Sequence, residues 1–481
     1  MQMPKLKDSL DDVQGIIVRG YGKLEDACYV MLQVRDPAAV KRWLAVLPVT
    51  DGRSNPVDRA MNVAFTHEGL AALGLDPEAR AMFSHEFQEG MVRPHRSHVL
   101  GDHGPNDPKR WEWGGPNTEP IHILLLLYAA TEAELVIFHG EIASSFEGAG
   151  LQEVRTLEAV LLRSEDGCSK EHFGFCDAIS QPFIAGLEKP APAPLTVETG
   201  EFILGYPNEY GKLTERPLLP AHRDPEKLLP EAVDGTGQRD LGHNGTYLVF
   251  RQINQDVGAF WSFIATAAGA DDGPASSDAR IRLASKMVGR WPSGAPLVLA
   301  PDEDQPELRR SNDFLYHEAD PHGLRCPIGS HVRRSNPRDA LEPQPGSEKS
   351  IAINKRHQLL RRGRAYGDPV VPSLNPDEIL RADPAGDRGL HFICLGANLS
   401  RQFEFVQQSW ANNPKFNGLY DDPDPLTGDR DPREKGKLGT FTEQARPVRR
   451  RTTGMPSFVG MRGGGYFFLP GLRAVRYLAS L

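Results

Sequence analysis

Residues 326–338 read Cys-Pro-Ile-Gly-Ser-His-Val-Arg-Arg-Ser-Asn-Pro-Arg, a run that places His331 beside Arg333, Arg334 and Arg338. A lone histidine is ordinarily a satisfied core or surface group, but these neighbours favour a different interpretation. A neutral imidazole is a common axial ligand of haem iron. Arginine is the natural partner of a carboxylate, and haem carries propionate groups. The run therefore predicts a haem site, with a solvated basic loop as the alternative.

Two further segments carry a carboxylate and a guanidinium suited to reactions of peroxide. Residues 174–182 read Gly-Phe-Cys-Asp-Ala-Ile-Ser-Gln-Pro, and Asp177 in such a context is ordinarily a turn or cap residue. Near a haem iron, however, an ionised Asp177 can move a proton from one peroxide oxygen to the other. Residues 360–367 read Leu-Arg-Arg-Gly-Arg-Ala-Tyr-Gly, either an exposed charged stretch or the source of one distal cation. Such a cation stabilises the negative charge that develops as the O–O bond breaks.

The composition is that of an ordinary soluble globular protein and argues against several classes of function. The 481 residues include 55 basic and 64 acidic side chains, and the net charge of −9 argues against a nucleic-acid partner. Five scattered cysteines do not make a disulfide scaffold, so a reducing cytoplasm is the expected location. The first residues lack an export signal, and the longest apolar run, at 121–130, is too short to span a bilayer. Cys168, His172 and Cys176 lack the spacing of a structural zinc site.

Hydrophobic periodicity predicts strands and helices in alternation along most of the chain. Asp36 with Pro37, and Thr131 with Glu134, are expected to begin helices as N-cap and first-turn residues. The predicted strands are 13–18, 28–34, 61–65, 121–129, 154–162, 247–251, 297–300, 390–395 and 466–469, and the main predicted helices begin near 37, 131, 255, 280, 400 and 472. Two blocks with this rhythm indicate an α+β fold of two related units, each packing helices on one face of a mainly antiparallel sheet.

A proline-rich stretch, Leu187 to Gly200, separates the two blocks. We expect an N-terminal domain at 1–186 that carries Asp177 near its end. A proline- and glycine-rich linker and insertion follows at 187–243, and a C-terminal haem-binding domain at 244–481.

At these motifs the chain resembles the dye-decolorising peroxidases, a haem enzyme family built from two ferredoxin-like domains whose antiparallel sheets pack against helices in a dimeric α+β barrel-like arrangement. The family carries a G-x-x-D-G segment with a catalytic Asp, a G-[AS]-H-[IV]-R-R-x-N-P-R segment with the proximal His, and an Arg further along the chain. Residues 174–178, 329–338 and 360–367 resemble these segments, and the resemblance extends over nearly the whole chain. In one departure, Ala178 replaces the glycine after the Asp, which is costly if this position requires a positive φ.

The resemblance implies a role for each matching residue. His331 is the proximal ligand of the iron, Asp177 the distal acid–base, and Arg361, the first of the paired arginines, the distal cation. Further haem contacts are expected directly after the Asp, at Ala178, Ile179 and Ser180, and at the end of the histidine motif, at Asn336, Pro337 and Arg338. Two apolar positions of one predicted strand, Leu390 and Phe392, and one carboxylate, Glu404, complete the expected set. Arg338 is expected near a propionate, and Glu404 is expected to accept a hydrogen bond from the proximal imidazole, with a solvent-facing Glu404 as the alternative. The two apolar positions are equally compatible with ordinary core.

Together the motifs imply a cytoplasmic haem b peroxidase that reacts with hydrogen peroxide to form Compound I and then oxidises phenols, dyes or other bulky organic donors. Such donors deliver electrons at the haem edge or through an aromatic such as Trp410 or Tyr366, both of which are more simply explained as packing residues. The alternatives are a haem carrier or sensor with little turnover, and a haem-independent α+β binding module. Asp177 together with Arg361 favours the peroxidase, because a carrier has no use for a distal acid–base pair. Neither a membrane nor a nucleic-acid partner is expected, and no oligomeric state is predicted.

Overall fold

The computed structural model describes residues 5–187, 195–269, 275–430 and 439–481. Residues 188–194 of the predicted proline-rich connector lie outside these ranges. Every helix within the described ranges is too short or too polar to cross a lipid bilayer.

One large antiparallel sheet organises the fold. The described strands are β1 (Asp26–Val34), β2 (Arg59–Phe65), β3 (Ile123–Ala129), β4 (Leu151–Val160), β5 (Phe183–Ile184), β6 (Thr196–Val197), β7 (Leu218–Leu219), β8 (Arg239–Asp240), β9 (Thr246–Gln255), β10 (Leu360–Arg361), β11 (Arg364–Tyr366), β12 (Gly389–Gly396), β13 (Gly439–Glu443), β14 (Arg450–Met455) and β15 (Val459–Leu469). Eight strands of the sheet pair in the order β12-β11-β4-β1-β3-β2-β15-β9. The last of them, β9, also pairs with the first, β12, so the order closes on itself. The short strand β10 pairs with β12 as a ninth strand. All of these pairings are antiparallel, so the sheet closes into a barrel. Strands from both halves of the chain contribute to it, and the domain boundaries at 186 and 243 stay a prediction.

The helices cover the outside of this barrel and surround its ends. They are α1 (Gly15–Val18), α2 (Pro37–Leu44), α3 (His67–Ala72), α4 (Pro77–Arg80), α5 (His85–Glu89), α6 (Pro94–Leu100), α7 (Glu132–Ala143), α8 (Val257–Ala268), α9 (Ser277–Val288), α10 (Tyr316–Ala319), α11 (His331–Ser335), α12 (Glu348–Lys355), α13 (Pro376–Ile379) and α14 (Leu472–Ser480). Alternation along β1 explains the two cores: Tyr29 and Met31 pack inside the barrel, whereas Val30 and Leu32 pack against helices α2 and α7.

The predicted α+β class is confirmed, as are the predicted caps of α2 and α7. The Asp36 carboxylate accepts hydrogen bonds from two first-turn N–H groups, and the Thr131 hydroxyl accepts one from the Glu134 N–H.

Two predicted strands are wrong. Residues 13–18 contain the short helix α1, since their buried apolar positions 13, 16 and 17 follow helical spacing. Residues 297–300 form a turn in which two N–H groups donate to the Pro296 carbonyl. Short apolar runs of this kind do not distinguish strands from turns or helices by periodicity alone.

Candidate active site

A cavity of about 720 Å³ lies between the barrel strands β9 and β12, helix α11 and the segment that contains Asp177. The predicted residues His331, Asp177 and Arg361 all line it. Much of the remaining wall is apolar, including Val288, Leu359, Phe403, Val406 and Leu426. The structure thus brings three residues from distant parts of the sequence to one enclosed space of a size suited to a flat, largely apolar ligand.

His331 is the first residue of α11, and its imidazole is held by a buried carboxylate. The His331 Nδ1 lies 3.0 and 3.1 Å from the two carboxylate oxygens of Asp424, which is fully buried. Asp424 Oδ1 also accepts hydrogen bonds from the N–H groups of Leu426 and Thr427. Burial favours the neutral acid, but His331 and these donors hold the pKa of Asp424 below its usual range. The second ring nitrogen, Nε2, is left for a ligand on the cavity side.

The predicted pairing of His331 with Glu404 is wrong. The Glu404 carboxylate accepts hydrogen bonds from the Arg96 guanidinium at 2.9 Å and from the Tyr466 hydroxyl at 2.8 Å. The alternative of a solvent-facing side chain is also wrong, because Glu404 is buried. Residues 400–411 are π-helical, so a stripe drawn at the spacing of an α-helix misjudges which side chains face inward. Asp424 lies in an irregular loop, where no periodic pattern marks it.

Asp177 ends a small hairpin whose backbone is firmly paired. Its N–H donates to the Ser169 carbonyl at 2.8 Å, and the Glu171 N–H donates to the Phe175 carbonyl at 3.0 Å. Its side chain is exposed to the cavity. Ala178 follows with a φ of +61°, so this position does adopt the left-handed conformation that is costly for alanine.

A disulfide that the sequence did not predict joins the two strands of this hairpin. Cys168 and Cys176 are bonded to each other, with their Cα atoms 6.1 Å apart. The intervening His172 donates a hydrogen bond from its Nε2 to the Tyr366 carbonyl at 2.9 Å. These three residues therefore form a cross-link and a backbone contact, and they are not arranged as metal ligands.

A second carboxyl, that of Glu171, lies in the wall of the same cavity. It accepts hydrogen bonds from the N–H groups of Phe173 and Phe175 and from the side-chain amide of Gln255. Burial raises its pKa to about 7, against these hydrogen bonds and helped by the nearby negative charge of Asp177.

The two arginines of β10 and its following turn point to different places. Arg361 lines the cavity, and its backbone N–H donates to the Gln181 side chain, which ties β10 to the Asp177 segment. The Arg362 guanidinium donates instead to the carbonyls of Ile16 and Ile17, which do not line the cavity. The geometry therefore agrees with the choice of Arg361 as the cavity cation.

Several of the other expected contact residues also line the cavity, namely Ile179, Ser180, Asn336, Leu390 and Phe392. Ala178 lies between two lining residues, and Pro337 is buried. Arg338 does not reach a cavity ligand, because the residue is 4% exposed and its guanidinium donates to the carbonyls of Asn312 and Phe314. The expectation of a propionate contact from Arg338 is therefore wrong.

The arginines beside His331 also have structural roles. Arg333 pairs with Asp320, and Arg334 donates to the carbonyls of Trp410, Asp422 and Asn413. Trp410 and Tyr366 are buried packing residues, as their simpler explanation expected.

Two other arginines face the cavity and were missed. Arg290 donates to Ser180 Oγ at 3.0 Å, and Arg430 lies on the Asp424 loop. The Nε and Nη1 atoms of Arg430 are buried and make no hydrogen bond among the residues that the structure describes. Burial lowers the pKa of each guanidinium to about 10. Neither arginine lies in a motif, so only the folded chain reveals them.

The comparisons with known proteins agree with this geometry. No family model matches the chain. A dye-decolorizing peroxidase of Exidia glandulosa is 30% identical over 489 residues, which cover 97% of this chain and 86% of the relative. A multifunctional dye peroxidase of an Amycolatopsis strain is 30% identical over 430 residues, which cover 87% of this chain and 82% of the relative.

Solved structures of such enzymes superpose on almost the entire chain. A double mutant of a decolorizing peroxidase from Auricularia auricula-judae gives a TM-score of 0.77 at 25% identity, with 100% of both chains covered. A dye-decolorizing peroxidase in complex with 2,6-dimethoxyphenol gives a TM-score of 0.75 at 27% identity, with 98% of this chain and 99% of the other covered. The chain belongs to the dye-decolorising peroxidase family, and it is a peroxidase.

Proposed function

We propose that this chain is a haem b peroxidase in which His331 ligates the iron and Asp177 and Arg361 act on hydrogen peroxide. The observation that carries this proposal is the cavity itself, where an imidazole held by a buried carboxylate shares one space with a carboxylate and a guanidinium. Peroxidases hold their iron through a neutral histidine whose other nitrogen is hydrogen-bonded to a carboxylate.

The residues present fit a haem group. Apolar side chains provide the wall for the macrocycle, with Leu390 and Phe392 among them. The buried Nε and Nη1 groups of Arg430 that lack a described partner suit a propionate, since buried N–H groups without an acceptor are unfavourable. Arg290 also lines the cavity, but its guanidinium already donates to the carbonyls of Gly294 and Ser311 and to Ser180 Oγ, so we propose Arg430 in place of Arg338 as the propionate partner.

Haem, when bound, supplies the iron at which peroxide reacts and stores the oxidising equivalents that peroxide yields. The Asp177 carboxylate accepts the proton from one oxygen of hydrogen peroxide and returns it to the other oxygen, which leaves as water. Arg361 stabilises the negative charge that gathers on the departing oxygen. Both side chains meet the cavity without a hydrogen bond to any described residue, so they are available to a small substrate.

The reducing substrates that we propose are phenols, dyes and similar bulky donors. One structural relative is described in complex with 2,6-dimethoxyphenol, and several sequence relatives are named for decolorising dyes. Because Asp177 and Arg361 must reach a peroxide molecule together, donors of this size give up electrons outside the space between them.

Stopped-flow absorbance of the haem-loaded protein mixed with one equivalent of hydrogen peroxide tests the proposal. We expect a Soret band after haem loading and a rapid fall of that band on mixing. A loaded Soret band that hardly responds to peroxide would contradict the peroxidase and support a haem carrier or sensor. A protein that acquires no Soret band would contradict both.

A further inference from the structure

The hairpin that delivers Asp177 is fastened at both ends. At its closed end the Glu171 carboxylate accepts the N–H groups of Phe173 and Phe175. At its open end two links connect the strands. One is the Cys168–Cys176 disulfide, and the other is the hydrogen bond from the Asp177 N–H to the Ser169 carbonyl. The disulfide thus lies one residue from the carboxylate that faces the cavity.

The residue after Asp177 needs such a fastening. Ala178 has a φ of +61°, a conformation that a residue with a Cβ atom adopts reluctantly. Unfavourable backbone conformations persist only where the surrounding structure imposes them. A covalent cross-link two residues before Ala178 removes many of the alternative conformations that an open strand would adopt.

We propose that Cys168 and Cys176 are positioning residues for Asp177, and that their disulfide is a redox-controlled latch which hydrogen peroxide closes and thiol reductants open. The proposal rests on the proposed peroxidase function, since it concerns the carboxylate that acts on peroxide. It goes beyond that function because it makes the enzyme responsive to its own oxidant.

The positions of the two sulfurs allow both reactions. Cys176 lines the peroxide cavity, and its bonded partner Cys168 is partly exposed. The remaining cysteines, Cys28, Cys326 and Cys394, are buried as free thiols. In the cytoplasm that the cysteine usage predicts, a disulfide is typically transient and redox-sensing.

The chemistry balances with reagents of known class. On closing, one cysteine loses its proton and the thiolate attacks a peroxide oxygen; the O–O bond breaks to give a sulfenic acid, and the departing hydroxide takes up that proton as water. The second thiol then displaces water from the sulfenic acid and forms the S–S bond. Two thiols have lost two electrons and two protons, and peroxide has become two waters. On opening, a dithiol reductant attacks one sulfur and leaves as its own disulfide, with both cysteines returned to thiols.

A thiol count tests the latch without any use of activity. The full-length protein, incubated with dithiothreitol or with one equivalent of hydrogen peroxide and then desalted, is denatured, alkylated with iodoacetamide and weighed by mass spectrometry. We expect five alkylated cysteines after reduction and three after peroxide, with the unmodified pair mapping to Cys168 and Cys176. Five alkylated cysteines in both samples would overturn the proposal.

Stopped-flow measurements on the desalted, haem-loaded protein then test positioning. We expect the reduced protein and the Cys168→Ser/Cys176→Ser variant to react with peroxide roughly tenfold to a hundredfold more slowly, with haem content and resting Soret spectrum unchanged. Cys28→Ala, in the packed face of β1, should leave the response to reductant intact. Equal rates for the oxidised and reduced protein would overturn the proposal.

A rescue variant separates positioning from a general loss of structure. Glycine at position 178 adopts a positive φ without strain, so Ala178→Gly should restore much of the rate in the double-serine background and change it little in the disulfide-bonded protein. If Ala178→Gly does not restore the rate of reaction with peroxide in the double-serine background, the two cysteines contribute to stability alone and the positioning role is overturned. If the oxidised wild-type protein itself fails to react with peroxide, the proposed function has failed, whereas a fast wild type with no redox response contradicts only the latch.

Discussion

The two sides of the cavity are built in opposite ways. On the His331 side, the Asp424 carboxylate is fully buried and bonded to an imidazole and two backbone N–H groups. On the Asp177 side, the carboxylate and the Arg361 guanidinium face the cavity and make no hydrogen bond to any residue in the described ranges. A metal ligand gains from a fixed orientation, whereas groups that move a proton or meet developing charge must be available to the substrate.

This contrast predicts that changes on the two sides will separate cofactor binding from reaction with peroxide. The largest effect is expected for His331→Ala, because it removes the proposed iron ligand itself. We expect little haem to be retained after gel filtration, or a Soret spectrum unlike that of the wild type. Haem content and spectrum identical to those of the wild-type protein would remove His331 from this role.

Substitutions on the other side should preserve haem and slow its reaction. Asp177→Asn removes the proton acceptor, which is typically worth about 10²- to 10⁴-fold, and Arg361→Leu removes a charge-stabilising donor, worth about 10²- to 10³-fold. The measurement is the second-order rate of the Soret change on mixing with peroxide.

Arg362→Leu is the matched control for Arg361→Leu, since the Arg362 guanidinium donates to Ile16 and Ile17 outside the cavity. We expect its rate with peroxide to resemble that of the wild type. Unaltered rates in both Asp177→Asn and Arg361→Leu would exclude the proposed distal pair.

A smaller effect is expected for the carboxylate behind His331. Asp424→Asn keeps the shape of the side chain but removes the charge that orients the imidazole, and such changes typically cost about 10- to 100-fold in metal affinity or activity. Titration of the apoprotein with haem and the position of the Soret band measure the loss. Glu404→Gln, at the carboxylate that pairs with Arg96, should leave both quantities near wild type. The reverse pattern would return the orienting role to Glu404.

The fold and the centre of the site were accessible from the sequence, but their supporting residues were not. His331, Asp177 and Arg361 stand in local motifs, and strands such as β1, β3 and β9 show runs of buried apolar residues. Asp424 reaches His331, and Arg290 and Arg430 reach the cavity, from loops and helix ends, where their position depends on long-range packing. The error at Glu404 has the same origin, because a π-helical segment changes the direction of every side chain after its first turn. The Cys168–Cys176 bond depends on a hairpin that has no periodic signature.

The smallest predicted effect concerns Glu171, which belongs to the Asp177 side yet is held as firmly as Asp424. Burial raises the pKa of Glu171 to about 7 in the folded protein, whereas an unfolded glutamate ionises near its ordinary value of 4.5. Between these values the folded state binds more protons than the unfolded state. The contribution of Glu171 to stability is therefore fully present below the unfolded pKa and is lost as pH rises through about 7.

Thermal unfolding of the wild type and of Glu171→Gln, measured between about pH 5 and pH 8, tests this linkage. We expect the variant to lose part of the wild-type decline in stability with rising pH, on the order of 1 kcal/mol across the range. Glu165→Gln, at an exposed carboxyl of the same region, should retain the wild-type slope. Parallel curves for wild type and Glu171→Gln would mean that the Glu171 carboxyl is ionised in the fold throughout. The hairpin would then present two negative charges to the cavity, and Arg361 would have to balance both.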